Sequence, residues 1–186
     1  MAAVDGRATV FKVGMRPTIG HKKYVEHSHT TVVGLVSAAR ENGVEPMITV
    51  YHWDLPQYLQ DIGGWTNPLI SNYFEHYVDV LYKSFGDRVK RWITFNEPYI
   101  FCHFGYGDGS HAPLVNQPGL GEYLCGHHVL QAHAKAYHLY KNTYSAEQKG
   151  QVGICLYSAY FYPLNENVNS SLADQALHHM LGWFAH

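Results

Sequence analysis

Charge is scarce in this 186-residue chain: Asp, Glu, Lys and Arg together make up 15%, and the formal net charge is −2. No basic stripe runs along it, which leaves nucleic acid with little support as a partner. Long apolar runs are lacking too, and none approaches the roughly 20 residues that a membrane-spanning helix needs. The opening Met1-Ala2-Ala3-Val4-Asp5-Gly6-Arg7 has no apolar h-region, so no cleavable signal peptide is expected in the chain as it stands. Cysteine is limited to Cys102, Cys125 and Cys155. An odd, sparse count argues against a disulfide framework, and the expectation is three reduced, buried thiols.

The 14 histidines invite a metal site, but their spacing does not support one. His27 and His29 lie two apart, and His127-His128 and His178-His179 are adjacent. No His-x-x-x-His pair and no Cys-x-x-Cys occurs, so dispersed core and surface histidines are expected and no metal. Gly105-Tyr106-Gly107-Asp108-Gly109 imitates a phosphate loop but lacks the Gly-Lys-Ser/Thr end. Asn169-Ser170-Ser171 matches a glycosylation sequon, a triplet that is common by chance.

What the chain does have is apolar and aromatic surface. Hydrophobic residues reach 46% and aromatics 15%, with 15 Tyr and 4 Trp. That balance predicts a folded domain with a sizeable core. Flat rings with polar tips also suit a sugar site, although a Tyr-rich core would have the same composition.

Periodicity orders the chain. Residues 1–27 show no convincing period beyond a possible short strand at Thr9-Val10-Phe11-Lys12-Val13, and they are left unassigned. From Ser28, Val32, Leu35, Val36 and Ala39 keep helical spacing up to Gly43. Pro46-Met47-Ile48-Thr49-Val50-Tyr51 reads as a buried strand. A helix follows, with Asn67 as a possible cap, Pro68 in its first turn, an apolar stripe of Ile70, Phe74, Tyr77, Leu81 and Phe85, and Gly86 as its stop. Val89 to Phe95 is a second strand. A Gly/Pro-rich loop covers about 98–119, a helical stretch 121–144, and Gln151 to Tyr157 a third strand. The last helix opens on Ser171 with Asp174 and is built on Ala173, Leu177, Met180, Leu181 and Phe184. Strands separated by helices imply parallel pairing, hence an α/β sheet or barrel, assigned to residues 28–186.

Two segments hold matching places in successive strand–helix units. Tyr51-His52-Trp53-Asp54-Leu55-Pro56 ends one strand, and Thr94-Phe95-Asn96-Glu97-Pro98 ends the next. Parallel strands put their C-terminal ends on one face, where α/β folds carry their sites, so His52, Trp53, Asn96 and Glu97 can converge. His52 and Asn96 can donate to and accept from hydroxyls, and Trp53 offers an indole face and one N–H. A carboxyl group framed by aromatics at Glu97 is partly desolvated, and desolvation favours the protonated form that a general acid needs.

His-Trp-Asp-Leu-Pro followed by Thr-Phe-Asn-Glu-Pro resembles glycoside hydrolase family 1, the β-glucosidase family. The resemblance extends through Gly63-Gly64-Trp65, Phe85-Gly86-Asp87-Arg88-Val89, the stretch from Gly121 to His138, and Leu181-Gly182-Trp183-Phe184-Ala185, covering about residues 40–186. It implies a (β/α)8 barrel of which the three strands would be the third, fourth and fifth. It also implies retaining hydrolysis of β-glycosides such as β-glucosides and β-galactosides, without metal or organic cofactor. Glu97 would protonate the leaving-group oxygen and later activate water. Asn96 would bind the sugar 2-hydroxyl, His52 the 3-hydroxyl region, Trp53 the ring, and Phe104 would flank the aglycone. Some plant thioglucosidases carry Gln at the acid/base position, so Glu97 favours O-glycosides and argues against that subtype.

The chain also departs from the family. A barrel of this kind takes about 250 residues and eight strands. The family's first-strand Gln, second-strand Arg-Phe-Ser and seventh-strand Thr-Glu-Asn-Gly segments are absent. Retention needs a second carboxylate, and none here matches that role: Asp54 is expected to hold its loop, and Asp108 and Glu122 to serve a loop and a helix start. The chain is therefore expected to be a fragment, incompetent alone, and prone to association through exposed strand edges. The rival expectation is a degenerate, non-catalytic family member that binds sugars or proteins. Compartment and the choice between glucose and galactose stay open.

Overall fold

The computed structural model describes residues 8–12, 22–163 and 171–185. The first seven residues and Asn169 and Ser170 of the sequon lie outside the described residues, as do the side chains of His27 and His29.

Among the described residues, four strands form one sheet in the order β1-β2-β3-β4: β1 (Ala8–Lys12), β2 (Glu45–Tyr51), β3 (Arg91–Asn96) and β4 (Gln151–Cys155). Every pairing is parallel. Helices occupy every interval, as parallel pairing demands: α1 (Lys22–Glu41) between β1 and β2, α2 (Gln57–Asp61) and α3 (Ile70–Phe85) before β3, and α4 (Pro98–Cys102), α5 (Gly121–Leu139) and α6 (Ser145–Gln148) before β4. The chain ends on α7 (Ser171–Ala185). β1 pairs Ala8 with Glu45 through Lys12 with Thr49, so part of the segment left unassigned from sequence joins the sheet. α1 begins at Lys22, six residues ahead of the point where its apolar spacing becomes regular.

The core lies between the sheet and α3 and α5. α3 buries Ile70, Phe74, Val78, Leu81 and Phe85, the i, i+4 rows that face a sheet. Tyr51, Trp65, Phe74, Phe95 and Phe101 interlock beneath the strand ends, with Phe74 stacked on Phe95 at 4.4 Å and Trp65 edge-on to Phe95 at 5.2 Å.

Between β3 and β4 the register slips across Ile93 to Asn96. Thr94 and Phe95, adjacent in sequence, both turn toward the helices: Phe95 onto Phe74 of α3, and Thr94 onto His133 of α5 at 2.8 Å. Two successive side chains on one face mark a β-bulge, which re-aims the residues that follow it. The Thr94 hydroxyl donates to Gly153 O at 3.1 Å, so His133 Nδ1–H donates to Thr94 Oγ1. Burial holds the His133 imidazole below its usual pKa, in keeping with a neutral ring.

Two expectations need correction. The stretch after Glu97 is not an open loop: Pro98 sits at the first position of α4, where its missing N–H costs nothing, and a π-helical turn (His103–Gly107) continues it. Nor are all three cysteines reduced. Cys102 of α4 and Cys125 of α5 form a disulfide with Cα atoms 5.5 Å apart, and only Cys155 is free. The odd count left one thiol over; it did not exclude one bridge.

Candidate active site

β2 and β3 run in register with Tyr51 beside Phe95, so His52 and Asn96 leave the sheet as neighbours. Immediately beyond, the chain adopts the left-handed conformation twice, at Trp53 (φ 71°) and at Glu97 (φ 48°, ψ 62°). Neither is glycine, and such residues cluster where surrounding bonds over-determine the backbone. Those bonds are present. The Trp53 indole N–H donates to Asn96 O at 2.9 Å and ties the two strand ends together. Glu97 N–H donates to Cys155 O at 2.8 Å, tying β3 to β4. Glu97 O accepts Ile100 N–H at 3.0 Å and starts α4. The His52 backbone N–H donates to Asp54 Oδ1 at 3.2 Å, so Asp54 caps its own turn.

His52, Asn96 and Glu97 are half-buried, and Trp53 is 41% exposed with its ring at the rim. Since the indole N–H is occupied by Asn96 O, Trp53 offers a ligand its face and not its donor. Phe104 lies on the π-turn after α4, beside His103 at 4.9 Å and His111 at 5.1 Å; the His111 ring is in turn 6.3 Å from Trp53. Phe104 thus joins the His52-Trp53 side through His111, a residue that the sequence reading passed over because it sits in an irregular stretch without period. Tyr99 extends the row, stacked on His103 at 5.4 Å. Leu114, also left-handed, follows the cis Ala112–Pro113 bond in the segment that returns toward α5.

The other carboxylates considered from sequence are engaged locally. Asp108 Oδ1 accepts Ser110 N–H at 2.8 Å, which holds its carboxyl below the usual range. Glu122 Oε1 accepts Gly119 N–H at 2.8 Å at the start of α5. The phosphate-loop lookalike is buried at Gly105, Tyr106 and Gly107 inside the π-turn.

A consecutive run of parallel strands with intervening helices, polar and aromatic residues gathered at the strands' C-terminal ends, is the architecture of a (β/α)8-barrel enzyme, of which this chain forms a part. More narrowly, the chain belongs to glycosyl hydrolase family 1, whose family profile matches residues 30–186. It is 46% identical over 154 residues to Myrosinase 1 of Brevicoryne brassicae, covering 82% of this chain and 33% of that protein. It is 41% identical over 179 residues to the lactase/phlorizin hydrolase of Homo sapiens, covering 95% of this chain and 9% of that protein. Among solved structures, an aphid myrosinase superposes with a TM-score of 0.83 at 42% identity, over 87% of this chain and 35% of that one. A family 1 β-glucosidase from Thermotoga maritima gives 0.82 at 33% identity, over 94% and 39%. The chain spans about a third of the length of the myrosinase it matches.

Proposed function

We propose that this chain carries the acid/base half of a retaining β-glycosidase site, with Glu97 as the general acid/base. The observation that carries the reading is the conformation of Glu97. In a chain of this family, it stands half-buried at the end of a parallel strand, held left-handed by bonds to β4 and α4. That backbone fixes where the carboxyl group begins, and a proton donor must be fixed to within hydrogen-bond reach of the leaving-group oxygen. In the first step Glu97 gives its proton to that oxygen as the glycosidic bond breaks. In the second, as a carboxylate, it takes a proton from the water that attacks the glycosyl–enzyme.

Asn96, one residue earlier and fastened through its carbonyl to Trp53, binds the sugar 2-hydroxyl, a contact that strengthens in the transition state. His52 meets the 3-hydroxyl region, Trp53 lies against the pyranose ring through its free face, and Phe104 flanks the aglycone. The substrate class is a small β-glycoside, with glucosides first.

Retention needs a second carboxylate about 5–5.5 Å from the first. Among the described residues, Asp54, Asp108 and Glu122 serve a turn, a loop and a helix start, which leaves Glu97 as the one member of the pair that this reading assigns. The purified chain therefore releases no nitrophenol from a nitrophenyl β-glucoside. A chimaera in which residues 30–186 replace the matched segment of the Brevicoryne brassicae myrosinase does release it, and Glu97→Gln lowers the rate by about 10²–10⁴-fold. A chimaera that folds but does not respond to Glu97→Gln removes the assignment, and a folded chimaera that binds the glucoside without hydrolysis favours the non-catalytic reading.

A further inference from the structure

We propose that the Cys102–Cys125 disulfide is a structural cross-link, closed in an oxidising compartment, that positions Glu97 by pinning the helix after it. α4 is five residues long, too short to hold its shape alone, and it begins directly at Glu97. Its last residue is Cys102. α5, which carries Cys125, is anchored independently: His128 Nδ1 bonds Trp65 O at 2.9 Å, and the Tyr82 hydroxyl donates to Ala136 O. The bridge carries that anchorage back to α4, at the far end from the bond between Glu97 N–H and Cys155 O. Glu97 is thus held by hydrogen bonds on the sheet side and, through α4, by a covalent bond on the helix side.

Both half-cystines are fully buried. The bond therefore forms before the core closes: two thiols give up two protons and two electrons to a small disulfide such as oxidised glutathione, which leaves as two thiols. Once the core has closed, a thiol reductant cannot reach it. Disulfides of this kind belong to proteins matured in oxidising environments.

The cross-link itself is tested without reference to catalysis. The full chain, and the chimaera described above, are secreted, denatured without reductant and alkylated with N-ethylmaleimide. Mass spectrometry finds Cys155 modified and Cys102 and Cys125 modified only after reduction. Modification of all three without reductant in the folded chimaera overturns the proposal. Positioning rests on the reading of Glu97 given above and is tested in the chimaera with Cys102→Ser/Cys125→Ser. Loss of position weakens proton donation, so kcat/KM, which reads the steps up to leaving-group departure, falls about ten-fold or more for an alkyl β-glucoside and stays within about two-fold for a dinitrophenyl β-glucoside, whose leaving group needs no proton. Equal losses of kcat/KM on both substrates, or none, overturn the positioning role and leave the thiol count standing. If the serine pair does not fold, the same comparison is made on the unmutated chimaera after reduction in mild denaturant, alkylation and refolding.

Discussion

Replacing Tyr106 by Phe removes one oxygen atom from the interior and gives a sharp measure of how the turn after Glu97 is held. Tyr106 is 2% exposed; its hydroxyl donates to Gln60 Oε1 at 2.6 Å and accepts the backbone N–H of Trp65 at 3.2 Å. Those two bonds join the π-turn of residues 103–107 to the segment between β2 and α3. Gln60 is half-buried and can find water, so its loss costs about 0.5–1.5 kcal/mol. The Trp65 residue is fully buried, and an unsatisfied buried N–H costs about 1–3 kcal/mol. The sum is about 2–4 kcal/mol, which at a urea slope of about 2–3 kcal/mol/M moves the midpoint down by roughly 1 M. Tryptophan fluorescence of the chain at sub-micromolar concentration, where association is suppressed, reads the transition. An unchanged midpoint at unchanged slope refutes the reasoning, because it would mean that the hydroxyl carries neither bond in solution.

Three further outcomes follow from the same packing. Burial pushes the Tyr106 hydroxyl up to about 12 and that of Tyr51 well above its ordinary value. Both are neutral in either state below pH 10, so their stability contribution is intact there. It drains away as pH rises from 10 toward 12, with Tyr106 alone contributing about 3 kcal/mol, and urea melts at pH 9 and pH 11 of the chain and of Tyr106→Phe check it by the narrowing of their difference. Gly64→Ala is destabilising by more than about 1 kcal/mol, since its φ is +54° and a Cβ would meet Gln60 Oε1 at 2.1 Å and the Tyr106 hydroxyl at 2.5 Å; Gly34→Ala, with nothing within 4 Å, is the control in the same melt. The chain by itself associates at tens of micromolar because β1 and β4 stand at the two edges of the sheet with no further strand paired to them among the described residues, and sedimentation velocity showing a single monomer across that range contradicts this.

Much of the fold could be read from apolar spacing. Ile70, Phe74, Tyr77, Leu81 and Phe85 outline α3 from end to end, and the run from Pro46 to Tyr51 marks β2, because helix and buried strand impose different periods on the same residues. Single-turn elements carry no such period. α2, α4 and the turns at Gly64–Thr66 and His103–Gly107 are set by tertiary contacts such as those of Tyr106, and they surfaced only in three dimensions. Pro98 illustrates the limit: a proline after a strand reads equally as a stop and as the first residue of a helix, and here it is both. The bulge that turns Thr94 and Phe95 to one side has no local signature, since both residues suit either face. At the site, the strand-end pairing of His52 with Asn96 followed from parallel topology. The His111 ring between Trp53 and Phe104, the left-handed backbone at Trp53 and Glu97, and the occupied indole N–H did not, because each depends on a partner far away in sequence.

The role of Glu97 is tested most directly by giving the reaction what Glu97 supplies. In the chimaera, Glu97→Ala removes both the proton for the leaving group and the base for the water. Turnover of an alkyl β-glucoside then falls by about 10²–10⁴-fold, whereas a dinitrophenyl β-glucoside still forms the glycosyl–enzyme, which stalls for want of a base. Azide, an anionic nucleophile that needs no deprotonation, restarts it and leaves as the glycosyl azide. Azide acceleration of Glu97→Ala, with none in the unmutated chimaera, is the result predicted; equal losses on both substrates with no response to azide would contradict the assignment.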